Sequence, residues 1–385
     1  MTLSWISDEL HEIEASGLLR RLRSLASTQG PVIELDGRSV INFSGNDYLG
    51  LAGDRRLIRA AQAAAGKWGA GSGSSRLISG NLAVFAKLEA ALAEWLGAPA
   101  ALLFTSGYHA NIGAICSLAG PGDAVFSDRL NHASIIDGCR LSRAAVNIYE
   151  HGDASHLDRL LAGTAARRKL VVTETVFSME GDVAPLPELI ETTRRHNVMI
   201  MVDEAHALGV LGQSGRGALE HFGLAAADVD VLMGTLGKAL GSSGAFVAGS
   251  AELIEFLVNR ARTFIFTTGP APAAAGAALE ALRVIREEPW RRERALAHAD
   301  RLRAALSVMG QDAGPGSAAI VPVVLGTPEA ALSLSAALLD RGIYAQAIRP
   351  PTVPSGSSRL RISLCAGHTD EQVDQLIEAL KEAIR

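Results

Sequence analysis

Met201-Val202-Asp203-Glu204-Ala205-His206 and Thr235-Leu236-Gly237-Lys238-Ala239-Leu240-Gly241 are the two segments around which the rest of the chain organises itself. The apolar run Asn197-Val198-Met199-Ile200-Met201-Val202 ends in Asp203, as a buried parallel strand does when it delivers an acid to its carboxyl edge. Lys238 is ringed by small residues, so nothing bulky hinders its amine and the backbone can approach a ligand closely. Alone, Lys238 is one cation among 36 Lys+Arg, and Asp203 is a loop cap. Together with His206 and Thr235, at predicted strand ends or the loops after them, they form a pattern. An amine for a Schiff base and a carboxylate for a pyridinium nitrogen are the two protein groups that pyridoxal phosphate requires.

Outward from these segments, the chain alternates between apolar strands and helical patterns. Ala101-Leu102-Leu103-Phe104, Ala124-Val125-Phe126, Ala145-Val146-Asn147-Ile148, Leu170-Val171-Val172, Val198 to Val202, Val231-Leu232-Met233 and Ala245-Phe246-Val247 read as strands. The pattern predicts an α/β fold, a mainly parallel sheet with helices on both faces. A Pro-containing, Ala-rich region at 269 to 276 marks a transition, after which helices and the strand Ala319 to Val324 predict a smaller C-terminal α/β domain. Towards the N-terminus, Leu10, Ile13, Leu18, Leu22 and Leu25 recur at helical intervals, which predicts an amphipathic helix over 8–26. An Asp36-Gly37 turn between alternating segments then predicts a β-hairpin over 32–41. The expected organisation is an N-terminal segment over 1–45, a large cofactor-binding domain over 46–270 and a small domain over 271–385.

Composition narrows the function classes. The 385 residues, 48% hydrophobic and 20% charged, suffice for a sizeable core. A net charge of -5 offers no basic field for nucleic acid. Cys116, Cys139 and Cys365 are odd in number and widely spaced, which speaks against a disulfide framework or zinc site and for a reducing cytoplasm. Met1 to Leu10 includes Asp8 and Glu9 and no apolar leader core, and no uninterrupted apolar stretch suggests a membrane span.

Several loops offer groups for a cofactor and substrate. Thr105-Ser106-Gly107-Tyr108 lies between a strand and a helical pattern, where backbone amides converge on a phosphate or simply cap a helix. Gly69 to Gly80 is the most glycine-rich segment and reads as a phosphate cradle, a flexible linker or a tight connection; it lacks the G-K-[ST] ending of a nucleotide loop. No proper G-x-G-x-x-G follows a strand, which weakens a nicotinamide reading. His132 follows a strand, where a flat imidazole over a pyridine ring would fix the ring plane. Arg359-Leu360-Arg361 places two guanidiniums on one strand face, suited to a carboxylate.

The pairing of V-D-E-A-H with T-x-G-K-[AG]-x-G is similar to that of the pyridoxal-phosphate-dependent α-oxoamine synthases, of the aspartate aminotransferase fold. Further matches run along nearly the whole chain: S-x-N-D-Y-L-G at 44–50, S-G-[FY] at 106–108 and N-H-A-S at 131–134. The resemblance implies a mainly parallel seven-stranded sheet sandwiched by helices, and a homodimer with shared active sites. It assigns catalytic roles to Lys238, His132 and Asp203. It assigns cofactor contacts to Ser106, Gly107, Tyr108, His132, Ser178, His206 and Thr235, and, from a neighbouring subunit, to Thr267 or Thr268. Substrate contacts fall to Asn46, His132 and Arg361, with Arg20 or Arg21 and Thr352 for the acyl substrate. The family's glycine after D-E-A-H is Ala207 here. Within the family, Ala347-Ile348-Arg349-Pro350-Pro351-Thr352-Val353-Pro354 is most similar to the member that joins L-alanine to a pimeloyl thioester, of coenzyme A or acyl carrier protein, in biotin synthesis. A member condensing glycine with acetyl-CoA is the nearest alternative, and a catalytically idle ligand-binding protein the alternative from another class.

Overall fold

A computed structural model describes residues 3–314 and 316–384; Met1 and Thr2, which open the stretch read for a leader, lie outside them. The chain divides into two units. One comprises residues 1–45, 179–181 and 294–385, the other residues 46–178 and 182–293.

The first unit opens with a helix over Trp5–Ala15, none of whose side chains is buried, in place of the helix expected over 8–26. It stops because Gly17 adopts φ +67°, a left-handed turn that lets Gly17 N donate to Glu14 O and Leu18 N to Ile13 O, both at 2.9 Å. Arg20 and Arg21 therefore lie beyond the helix, in chain that extends until Leu25 bridges to Leu35. The hairpin forms as its turn dictates: β1 (Val32–Leu35) and β2 (Arg38–Asn42) pair antiparallel around Asp36 and Gly37, both at positive φ.

Seven strands make the sheet of the second unit: β3 (Ala100–Phe104), β4 (Ala124–Asp128), β5 (Ala145–Tyr149), β6 (Lys169–Glu174), β7 (Met199–Asp203), β8 (Val231–Thr235) and β9 (Ala245–Gly249). Their order is β3-β9-β8-β7-β6-β4-β5, with β9 alone antiparallel to its neighbours. Each expected strand lies within one of these or overlaps it. One face packs Leu102, Val125, Val172, Met201 and Met233 into a core; the alternate residues Leu103, Phe126, Val171, Ile200 and Leu232 are as deeply buried, so both faces are covered. Full burial of such a side chain contributes roughly 1.5–3 kcal/mol.

The boundary expected at 270/271 is displaced to 293/294. The helix Pro272–Glu287 belongs to the second unit because its small residues let it press against the helix Arg55–Trp68. At Gly276 even a methyl group would come within 2.5 Å of Ala64 Cβ and 2.8 Å of Ala60 O.

The rest of the first unit includes β10 (Ile320–Gly326), β11 (Ile343–Tyr344), β12 (Ala347–Ile348) and β13 (Ser358–Ser363), with most of the helix Trp290–Val308 and the helices Pro328–Asp340 and Asp370–Ala383. β11 adds in parallel to β2, and β10-β13-β12 form an antiparallel sheet. Val321, Val323, Leu360 and Ile362 pack with Leu334, Leu338, Leu376 and Leu380.

Candidate active site

Two antiparallel steps, β8 to β9 and β9 to β3, bring β3 back to the common direction, so six strands of the large sheet end at one edge. The loops carrying Ser106, His132, Ser178, His206 and Lys238 all follow those ends. Asp203 is the last residue of β7, paired with Glu174 on β6 and Met233 on β8.

His206 Nε2 lies 2.7 Å from Lys238 Nζ, and His206 Nδ1 2.7 Å from the Tyr48 hydroxyl. That hydroxyl donates to Asn46 Oδ1 at 3.3 Å. An ammonium can only donate, so with Lys238 charged His206 accepts at Nε2 and keeps its proton on Nδ1 for Tyr48. His206 and Tyr48 are buried and Lys238 half-buried, whereas Asn46 is exposed.

Asp203, 4% exposed, accepts from Asn111 Nδ2 at 2.8 Å and from Ala205 N at 2.9 Å. Both donors are neutral, which leaves a buried carboxylate suited to a cationic partner. His132 caps the helix Ala133–Ser142: its Nδ1 accepts from Ser134 N at 3.2 Å and lies 2.8 Å from Ser134 Oγ. The residue is exposed overall. Protein packed around its imidazole nevertheless lowers its pKa, opposed by Asp203 and reinforced by Lys238.

Ser106 accepts from His109 N at 3.2 Å and caps the helix Gly107–Leu118, whose first-turn amides include those of Gly107 and Tyr108. The exposed Tyr108 donates to Asp137 at 2.6 Å. Thr235 donates to Gly244 O at 3.1 Å and accepts from Gly237 N at 3.2 Å, shaping the turn that carries Lys238. Ser178 is buried. Thr268 bridges to Ser75, Gly269 N donates to Ser74 O at 3.0 Å, and Ser72 Oγ donates to Pro270 O at 2.5 Å. The glycine-rich loop is thus held against the segment bearing Thr267 and Thr268.

In the other unit, β13 presents both arginines on one face. Arg359 donates to Glu180 at 2.9 Å and Met179 O at 3.1 Å, while buried Arg361 donates to Ser363 Oγ at 2.8 Å. A cavity of about 480 Å³ in that unit brings Arg20 and Thr352 together with Arg21, Arg23 and Arg349, so both residues expected at an acyl substrate line one space.

Sequence reasoning passed over Tyr48, Asn111, Ser134 and Glu204. Tyr48, Ser134 and Glu204 stand inside matched motifs, which is the available signal; Asn111 acts through contacts across the chain that no local pattern reveals.

The aminotransferase class I and II family model matches residues 38–380. The 8-amino-7-oxononanoate synthase of Anaeromyxobacter dehalogenans is 54% identical over 378 residues, spanning 98% of this chain and 95% of that protein. That of Alkalilimnicola ehrlichii is 51% identical over 380 residues, spanning 98% and 97%. Among solved structures, serine palmitoyltransferase from S. paucimobilis, with pyridoxal phosphate and myriocin bound, gives a TM-score of 0.93 at 33% identity over 99% of this chain and 97% of that one. The 8-amino-7-oxononanoate synthase from Francisella tularensis gives 0.79 at 29%, over 90% and 98%.

Proposed function

Because the chain belongs to the aminotransferase class I and II family, and within it to the group of 8-amino-7-oxononanoate synthases, we propose that it condenses L-alanine with a pimeloyl thioester of coenzyme A or acyl carrier protein, releasing carbon dioxide and thiol, in biotin synthesis. Its cofactor is pyridoxal phosphate, whose ring, when bound, accepts the electron pair set free at the substrate Cα. The residues fit that group: a buried carboxylate at Asp203 that accepts from the neutral donors Asn111 and Ala205, a half-buried amine at Lys238 and a helix start at Ser106 to Tyr108.

In this reading Lys238 Nζ anchors the cofactor and then moves the Cα proton of alanine. Asp203 holds a proton on the ring nitrogen, His206 orients beside Lys238, and the amides of Gly107 and Tyr108 with the Ser106 hydroxyl hold the phosphate. Ser178 and Thr235 support the ring and its turn, His132 covers the ring face, and Asn46 contacts substrate. Arg361 takes the amino acid carboxylate, and Arg20 with Thr352 the acyl substrate. The protein works in the cytoplasm as a homodimer, Thr267 or Thr268 serving the neighbouring subunit's phosphate. Among the described residues no helix is long and apolar enough to cross a membrane.

The observation that carries the reading is the 2.7 Å contact between Lys238 Nζ and His206 Nε2 on the sheet edge where Asp203 ends. To test it, visible absorbance is followed with pyridoxal phosphate bound, then with L-alanine, glycine or L-serine, and products from pimeloyl-CoA or acetyl-CoA are identified by mass. L-alanine with pimeloyl-CoA should respond and yield 8-amino-7-oxononanoate, and Lys238→Ala should abolish turnover. Product only from another pair would overturn the substrate assignment, and no cofactor absorbance would overturn the cofactor.

A further inference from the structure

We propose that Asn111 and Ser134 are positioning residues that couple Asp203 to His132, fixing the direction of the carboxylate and holding the imidazole with its proton on Nε2. The inference rests on the pyridoxal phosphate reading for its purpose but not for its geometry. Asn111 and Ser134 are each 1% exposed. Asn111 Nδ2 donates to Asp203 Oδ2 at 2.8 Å and to Ser134 Oγ at 2.9 Å, which uses both of its protons. A reversed amide would turn its carbonyl onto the carboxylate, so Asp203 sets the orientation.

Ser134 Oγ accepts from Asn111, and its own proton is then directed to His132 Nδ1, 2.8 Å away. The same nitrogen accepts from Ser134 N at 3.2 Å. A ring nitrogen that accepts two hydrogen bonds carries no proton, so the proton of neutral His132 is on Nε2. The lowered pKa of His132 agrees with that neutral ring.

Asn111 also shows what this arrangement costs. Its Oδ1 is buried and, among the described residues, has no hydrogen-bond partner. An unpaired buried acceptor weakens a fold, and an apolar residue of similar shape would avoid it. An amide in that place is therefore explained by its two donors rather than by packing.

The test uses the full chain without cofactor, labelled with ¹⁵N-histidine, the His132 signals being identified by their loss in His132→Gln. The parent should show an Nε2–H tautomer, Ser134→Ala a mixture with Nδ1–H, and Ser134→Thr, which keeps the hydroxyl, the parent pattern. An unchanged tautomer in Ser134→Ala would mean that the backbone cap alone sets the ring, and would overturn the coupling. Separately, Asn111→Ala and Asn111→Ser should each weaken pyridoxal phosphate binding about tenfold, the loss expected for one hydrogen bond to a buried charge. Parent affinity in either folded variant would overturn the role of Asn111. A parent chain that binds no pyridoxal phosphate overturns the cofactor reading alone, since the histidine signals still decide the coupling.

Discussion

Glu204→Gln tests how the loop that carries His206 is anchored. Glu204 follows Asp203 and is fully buried; Oε2 accepts from Ala218 N and Thr175 Oγ1, both at 2.9 Å, and Oε1 from Leu219 N at 3.0 Å. Burial pushes its carboxyl up from an ordinary 4.5 to about 7, against the pull of those three hydrogen bonds and with help from the charge of Asp203. Between these values the folded chain holds a proton that the unfolded chain has lost. The associated stability is complete below 4.5 and is lost as pH rises through about 7. At about 1.4 kcal/mol per pH unit, the rise from 4.5 to about 7 amounts to about 3 kcal/mol. Glutamine does not titrate, so the stability of the parent relative to Glu204→Gln should fall by about 3 kcal/mol from pH 4.5 to 7.5, read by urea unfolding of the cofactor-free chain. The variant also sets an amide donor against one backbone N–H, that of Leu219 when the amide oxygen keeps Ala218 and Thr175, which lowers it by about 1–3 kcal/mol at every pH. A difference that does not change with pH would refute the reasoning and show that the three donors offset burial.

Tyr48→Phe removes the hydroxyl that meets His206 Nδ1 at 2.7 Å and should cost about 1–2 kcal/mol in urea unfolding while lowering kcat; parent values for both would exclude an orienting role. His151 bridges Asp128 at 3.0 Å and Asp182 at 2.8 Å; burial lowers its pKa, but those two bonds outweigh it and hold the value at about 10. Its contribution is thus complete below about 6.5 and is lost as pH rises through about 10, so the stability gap between parent and His151→Gln should close over that range in thermal melts. Gly276→Val drives a branched side chain into Ala64 and Ala60 and should lower stability by about 1–3 kcal/mol or more in urea; no loss would mean that the two helices are not in close contact.

What the sequence made legible follows from the range over which each signal acts. The seven strands are short apolar runs bounded by turns, and a strand buried on both faces needs no distant information to be recognised. Their shared direction then fixes which loops meet, which is why the sequence alone groups Asp203, His206 and Lys238. The helix expected over 8–26 failed at Gly17: leucine spacing continued beyond a residue whose left-handed turn ends the helix, and periodicity does not register a stop. The 270/271 boundary failed for a related reason. Proline and small residues looked like a break, yet smallness there serves the close packing of Gly276 on Ala60 and Ala64. Asn111 shows the limit most sharply. It follows the Ser106 cap by little more than a helical turn and meets Asp203 across 92 positions of sequence, so nothing local distinguishes it from a polar residue on a helix surface. Its buried carbonyl, without a hydrogen-bond partner among the described residues, becomes visible only once the fold exists. That unsatisfied acceptor directs attention from the three residues legible in sequence to the side chains that hold them in place.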